Sequence, residues 1–223
     1  MNKIKMVVLD MAGTTINENN VVYKTLYKVI ENADVEVSLK TVLEVGAGKE
    51  KHQAIKDILA HVKADKKQDS LILFESFKKE LHEAYKVLDI KPIKGVTETI
   101  LNLRNKGILV VLNTGYNSLV ANNLLQKINW QKGQHYDALI TASDVVNGRP
   151  HPDMIVKAMA LFNITDASLV LKAGDSVIDI EEGKNAKCGI TVGVLSGAQT
   201  RNQLEKIKPT YILESLATLE TIL

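Results

Sequence analysis

Carboxylates, hydroxyls and glycines collect at the ends of three short apolar runs in this chain, and those residue types together suit a phosphoryl group held beside a hard cation. Asp10 closes the run Ile4 to Leu9 and leads into Ala12-Gly13-Thr14-Thr15. Asn113, Thr114, Gly115 and Tyr116 follow the run Ile108 to Leu112, and Gly174, Asp175, Ser176 and Asp179 follow Leu169 to Leu171. Carboxylates serve as ligands for a cation such as Mg²⁺, while hydroxyls and the backbone N–H groups of glycine turns bind phosphoryl oxygens. Singly, Asp10 could be a helix-capping aspartate and Asp175 and Asp179 parts of a polar loop. As an ordered set they read as a site.

Such a set needs strands that end together. The runs at Ile4 to Leu9, Ile108 to Leu112, Ala138 to Ile140, Leu169 to Leu171 and Ile190 to Leu195 are short and β-rich, and helical patterns separate most of them. That alternation predicts an α/β fold with a doubly wound parallel sheet, whose ligands bind beyond the carboxyl ends of the strands. The stretch from about Asn20 to Leu88 departs from it. Val22, Leu26, Val29 and Ile30 share one helical face, Leu71, Phe74, Phe77, Leu81 and Tyr85 recur at helical steps, and no strand stands out. The reading is a core over residues 1–16 and 90–223 and a helical cap over 17–89, joined by hinges around 16–20 and 88–92. Pro92 and Gly95 mark the return to the core, and Gly107 ends a helix over Val96 to Arg104.

Composition narrows the partners. Across 223 residues, 28 Lys and Arg face 26 Asp and Glu, so the charge of +2 provides no basic field for nucleic acid or an anionic membrane. The N-terminal run is too short for a signal sequence, and no stretch approaches the roughly 20 apolar residues that span a bilayer, so the expected compartment is cytoplasmic. Cys188 is the only cysteine and reads as a small buried hydrophobe. Trp130 and the phenylalanines read as packing residues, and His61, His82, His135 and His151 receive no role.

Asp10-Met11-Ala12-Gly13-Thr14-Thr15, Asn113-Thr114-Gly115-Tyr116, Gly148-Arg149-Pro150 and Gly174-Asp175 with Asp179 and Glu182-Gly183-Lys184-Asn185-Ala186 occur in that order. In this the chain resembles the haloacid dehalogenase superfamily over nearly its whole length, and within it the phosphonatase group. The resemblance implies that Asp10 attacks phosphorus to form an aspartyl-phosphate, with Mg²⁺ held by Asp10, the Ala12 carbonyl and Asp175, and with Asp179 as ligand or neighbour. It also implies that Thr114, Arg149 and the turns at Gly13-Thr14 and Gly115-Tyr116 hold the substrate. Lys172 is the alternative to Arg149 for the basic role.

Ala12 bears on the reaction. Most superfamily phosphatases carry there a second aspartate that protonates the departing oxygen, which alanine cannot do. Phosphonatases instead use a cap lysine that forms an imine with the substrate aldehyde and so accepts the electrons of the carbon–phosphorus bond. The segment Val45-Gly46-Ala47-Gly48-Lys49-Glu50-Lys51-His52 matches their Gly-x-x-Lys-x-x-His spacing. It nominates Lys49 as that amine and His52, three residues on and on the same face of a helix, as its proton shuttle. A phosphate-loop reading of Gly48-Lys49 fails because Leu43 and Glu50 stand where that loop needs glycine and a hydroxyl. Met11 and Val45 stand where the phosphonatases carry an aromatic residue and a methionine, at positions that shape the substrate pocket.

The leading expectation is therefore a Mg²⁺-dependent hydrolase that cleaves the carbon–phosphorus bond of phosphonoacetaldehyde or a close analogue, with a small organophosphorus substrate and a possible homodimer. One alternative is a phosphatase of small esters of the phosphoglycolate or sugar-phosphate type, with Lys49 merely binding anion. The other is a catalytically silent protein that binds a metabolite or a partner.

Overall fold

The computed structural model describes residues 4–64 and 69–223; residues 1–3 of the expected core and 65–68 of the expected cap lie outside that range. The chain starts with strand β1 (Met6–Asp10) and the two-residue strand β2 (Ile16–Asn17), then runs through helices α1 (Val21–Glu31), α2 (Leu39–Gly46), α3 (Lys51–His61) and α4 (Ser70–Val87). It returns through β3 (Lys91–Pro92) and continues as α5 (Val96–Asn105), β4 (Leu109–Thr114), α6 (Ser118–Lys127), β5 (Ala138–Thr141) and α7 (Asp153–Leu161). The rest is β6 (Val170–Gly174), α8 (Val177–Asn185), β7 (Ile190–Val194), α9 (Arg201–Lys206) and β8 (Tyr211–Leu213).

Six of the strands form one parallel sheet in the order β5-β4-β1-β6-β7-β8. All five residues of β1 are buried, which explains why its sequence is an unbroken apolar run and not an alternating one: both of its faces are covered. The chain adds β4 and β5 on one side of β1 and then β6, β7 and β8 on the other. Strand order thus reverses around β1, and the crevice opens at the carboxyl ends of β4, β1 and β6. Pairing of Asp10 with Asn113 and of Leu9 with Ala173 brings those ends level.

The helices α1 to α4 form the insert between β2 and β3. Those two strands pair antiparallel, Ile16 with Pro92 and Asn17 with Lys91, so the chain leaves and re-enters the core side by side. Inside the insert, Val22, Leu26 and Ile30 of α1 pack with Ile55 and Ile58 of α3 and with Leu73, Phe77 and Leu81 of α4. The buried face of α4 differs from the expected one at its start. Leu73 lies about 200° around the helix from Leu71, and it is Leu73 that is buried while Leu71 is exposed.

Strand β8 has no counterpart in the sequence reading. Three half-buried residues at the sheet edge, paired only with β7, make too short a run to stand out. Cys188 is half-buried, and burial pushes its thiol up to about 12, so it stays a neutral packing residue. Among the described residues no helix is long and apolar enough to cross a membrane.

Candidate active site

Asp10 is the last residue of β1, Asp175 follows β6, and Asp179 sits in the first turn of α8. One carboxylate oxygen from each lies within 4.8 Å of the others, and all three side chains are buried. Two buried cations thread this group. Arg149 Nη1 donates to Asp10 Oδ1 at 2.7 Å and contacts Asp179 Oδ1 at 3.0 Å, its Nε donates to Glu182 Oε2 at 3.1 Å, and Nη2 donates to the carbonyl and side-chain oxygens of Asn113 at 2.9 and 2.8 Å. Lys172, fully buried on β6, donates to Asp179 Oδ1 at 2.9 Å and to Asn113 Oδ1 at 2.8 Å. Asn113 Nδ2 in turn donates to both Glu182 oxygens at 3.0 and 2.9 Å.

Four carboxylates, of Asp10, Asp175, Asp179 and Glu182, thus stand with the cations Arg149 and Lys172, and with Lys51 in the pocket beside them, so negative charge is in excess when all are ionised. The cost falls unevenly. Burial pushes the Asp175 carboxyl well above its ordinary range, and the neighbouring Asp10 and Asp179 push it further. Asp10 is likewise raised, first by burial, with Arg149 pulling against it. Burial would also raise Asp179, but Arg149 and Lys172 outweigh it and hold that group low. A buried oxygen cluster with negative charge in excess has the chemistry of a divalent-cation site. The buried cations are accordingly structural as well. Lys172→Met leaves Asp179 and Glu182 with Arg149 alone and is expected to cost about 3–5 kcal/mol of stability, measured by urea unfolding.

Above the cluster lies a small pocket. The core contributes Asp10, Ala12, Thr114, Gly115, Tyr116, Arg149 and the two aspartates, and the insert contributes Tyr23, Gly48 and Lys51. The insert is held down closely here. Gly48 adopts φ +75° with no room for a side chain, since a Cβ would stand 2.5 Å from Ser176 Oγ, and its N–H donates to the Tyr23 hydroxyl at 3.1 Å. Among the described residues, the acidic side chains lining the pocket are Asp10, Asp175 and Asp179, all from the core.

Several expected site residues meet there: Asp10, Ala12, Thr114, Gly115, Tyr116, Arg149, Asp175 and Asp179. Others do not. Gly13 and Thr14 do not line the pocket: Thr14 is fully buried, and Gly13 abuts the cluster so closely that a Cβ would lie 2.6 Å from Asp175 Oδ2. Lys49 turns away and pairs with Asp57 Oδ2 at 2.5 Å, while His52 contacts Ser70 Oγ at 3.2 Å and stacks on Phe74. The reason is the start of α3. Glu50 caps that helix, accepting the N–H groups of His52 and Gln53 at 2.9 Å each, so Lys49 precedes the helix and shares no helical face with His52.

The lysine in the pocket is Lys51, the first residue of α3. Its Nζ donates to the Lys49 carbonyl at 2.6 Å and lies 5.2 Å from the centre of the Tyr23 ring. Burial and the nearby Arg149 push its pKa down to about 8, with Asp10 pulling the other way. Helical spacing carries the signal for this residue: Lys51 stands three and four positions before Ala54 and Ile55, on the buried face of α3. Tyr23 has no signal in the sequence reading, and Glu182 enters there only within the Glu182-Gly183-Lys184-Asn185-Ala186 motif, without a role, because its partners Asn113, Arg149 and Lys172 come from β4, a loop and β6.

Glu18, just before α1, is also buried, and burial pushes its carboxyl up to about 7 although the Val22 N–H donates to it. An acid raised in this way binds more protons folded than unfolded, so stability is expected to fall as pH rises from 4.5 to about 7. Glu18→Gln should remove that slope and stabilise the protein at pH 8 by on the order of 2 kcal/mol, as read from urea unfolding at pH 5 and 8.

The sequence profile of the haloacid dehalogenase-like hydrolases matches residues 7–194. A phosphonoacetaldehyde hydrolase of Parabacteroides distasonis is 32% identical over 212 residues, covering 89% of this chain and 78% of the relative. A phosphonoacetaldehyde hydrolase of Bacillus mycoides is 27% identical over 232 residues, covering 96% of this chain and 86% of that one. Among solved structures, a phosphonoacetaldehyde hydrolase-like protein from Oleispira antarctica superimposes with a TM-score of 0.84 at 24% identity, over 99% of this chain and 91% of its own.

Proposed function

Because this chain belongs to the haloacid dehalogenase-like hydrolase family, we propose that it cleaves the carbon–phosphorus bond of phosphonoacetaldehyde or a close analogue. It is a hydrolase, so a catalytically silent binding protein is set aside. The observation that carries the proposal is a pocket that pairs the Asp10 carboxylate with the Lys51 amine and presents alanine where an acid would protonate a leaving oxygen.

In this reading Asp10, Asp175, Asp179 and the Ala12 carbonyl hold Mg²⁺, which would neutralise charge on the carboxylates and on the phosphoryl oxygens. Lys51, in its neutral form, adds to the aldehyde carbon, and loss of water gives an imine that takes up a proton. The Asp10 carboxylate then attacks phosphorus, and the electrons of the carbon–phosphorus bond move into the iminium to leave a neutral enamine. Thr114, Arg149 and the Gly115 backbone contact the phosphoryl group as it transfers. Water releases phosphate from Asp10, and protonation and hydrolysis of the enamine release acetaldehyde and free Lys51. Residues 17–89 act as a cap over the core, and its closure excludes water from the aspartyl-phosphate until the organic product forms.

A second reading, a phosphatase of small phosphate esters, draws support from the contacts of Lys51 with a carbonyl oxygen and a tyrosine ring, which suit an ammonium that binds anions. Mg²⁺-dependent phosphate release from phosphonoacetaldehyde, set beside phosphoglycolate and sugar phosphates, separates the two. Preference for the phosphonate is the expected result; turnover of esters with none of the phosphonate makes the chain a phosphatase.

A further inference from the structure

The pocket above Asp10 has room for about 20 Å³, and beside it lies a cleft of about 430 Å³ between α4 of the insert and α6 of the core. Lys51, Gly115 and Tyr116 line both cavities, so the cleft adjoins the site. Its walls are Phe74, Phe77 and Leu81 on one side and Leu119, Val120 and Leu124 on the other. Two of its cations are already engaged: Lys78 pairs with Glu75 at 2.7 Å over the Phe74 ring, and Lys127 Nζ donates to the Tyr85 carbonyl at 2.5 Å and the Leu88 carbonyl at 3.1 Å.

The cleft thus joins an apolar wall to the polar groups of Lys51, Glu50, His82, Asn117 and Asn123, within the size and character of small-molecule sites. A two-carbon substrate bonded to Lys51 would leave it empty and would leave Leu119, which is 68% exposed, facing solvent.

We propose that this cleft receives the organic part of the substrate, and that the physiological compound is an organophosphorus molecule whose carbon chain runs on from the reacting carbonyl as an apolar alkyl or aryl group. This rests on the carbon–phosphorus reading above. The carbonyl stays at Lys51, the phosphoryl group stays at Asp10, and the tail lies between Phe77 and Val120. A second copy of the chain is the competing occupant.

The test measures kcat/KM for 2-oxoalkylphosphonates from two to eight carbons, with the native chain and with Leu119→Trp, which narrows the cleft at an exposed position. Each methylene that enters is worth about fourfold, so the ratio of long to short substrate is expected to exceed tenfold and to fall at least tenfold in the variant. A flat series, with phosphonoacetaldehyde turned over by both proteins, overturns the tail subsite and leaves the reaction assignment standing. A flat series together with a dimer in sedimentation that Leu119→Trp dissociates gives the cleft to a second copy, which also overturns it. Failure on every phosphonate, with phosphate esters hydrolysed, removes the reaction reading and this inference with it.

Discussion

Asp10→Asn is expected to lower kcat for phosphate release by at least about 10³-fold while the protein stays folded. Asparagine keeps the shape of the side chain and can still accept a hydrogen bond from Arg149, which reaches Asp10 at 2.7 Å. It lacks the anionic oxygen that would form the bond to phosphorus. Folding should tolerate the change, because burial and the neighbouring Asp179 already disfavour a charge at this position. Phosphate assays and thermal unfolding on the same sample separate the two effects. EDTA should lower the native rate to the level of the variant, with recovery on adding Mg²⁺. An Asp10→Asn enzyme within about tenfold of native would exclude a covalent role for this carboxylate.

Lys51→Arg is expected to reduce turnover of phosphonoacetaldehyde by about 10²–10³-fold, whereas Lys49→Arg should change it by less than about threefold. Arginine retains the positive charge and can still reach the Lys49 carbonyl, but a guanidinium does not form an imine. Lys49 already has Asp57 as a partner and lies outside the pocket. Borohydride reduction in the presence of substrate, followed by mass spectrometry of the fragmented peptide, should locate the adduct on Lys51. An adduct on Lys49 would return the amine to the position that the resemblance nominated.

The rate should also rise with pH through about 8, because Lys51 must lose its proton to attack and burial has lowered its pKa to about 8 from 10.5. The same shift carries a stability signature. Between about 8 and 10.5 the unfolded chain holds a proton that the folded one lacks, so stability contributed through Lys51 rises with pH across that window.

Much of the core was legible from local pattern. A strand covered on both faces is largely apolar, so Ile4 to Leu9 and Ile108 to Leu112 announce themselves, and a parallel sheet has one carboxyl edge, so residues just past such runs are brought together. Asp10, Thr114, Gly115, Asp175 and Asp179 follow from that polarity alone. The helical insert between the first strand and the rest of the sheet was legible for a similar reason: its helical periodicity runs on with no strand-like run between. Strand β8 was not, because three residues carry too little period to detect.

What the tertiary structure decided is which side chains face the site. Lys49 and Lys51 are two residues apart in one polar segment, and the choice between them depends on where α3 begins, which the Glu50 cap and the packing of Ile55 and Ile58 fix. Gly13 and Thr14 belong to the right loop but do not line the pocket, Thr14 because it is fully buried and Gly13 because it packs against Asp175. Arg149 meets Asp10, Asn113, Asp179 and Glu182, contributed by β1, β4 and α8. Periodicity records the surroundings of one element, whereas a buried charge network is the sum of fields from several, and that sum exists only once the chain has folded.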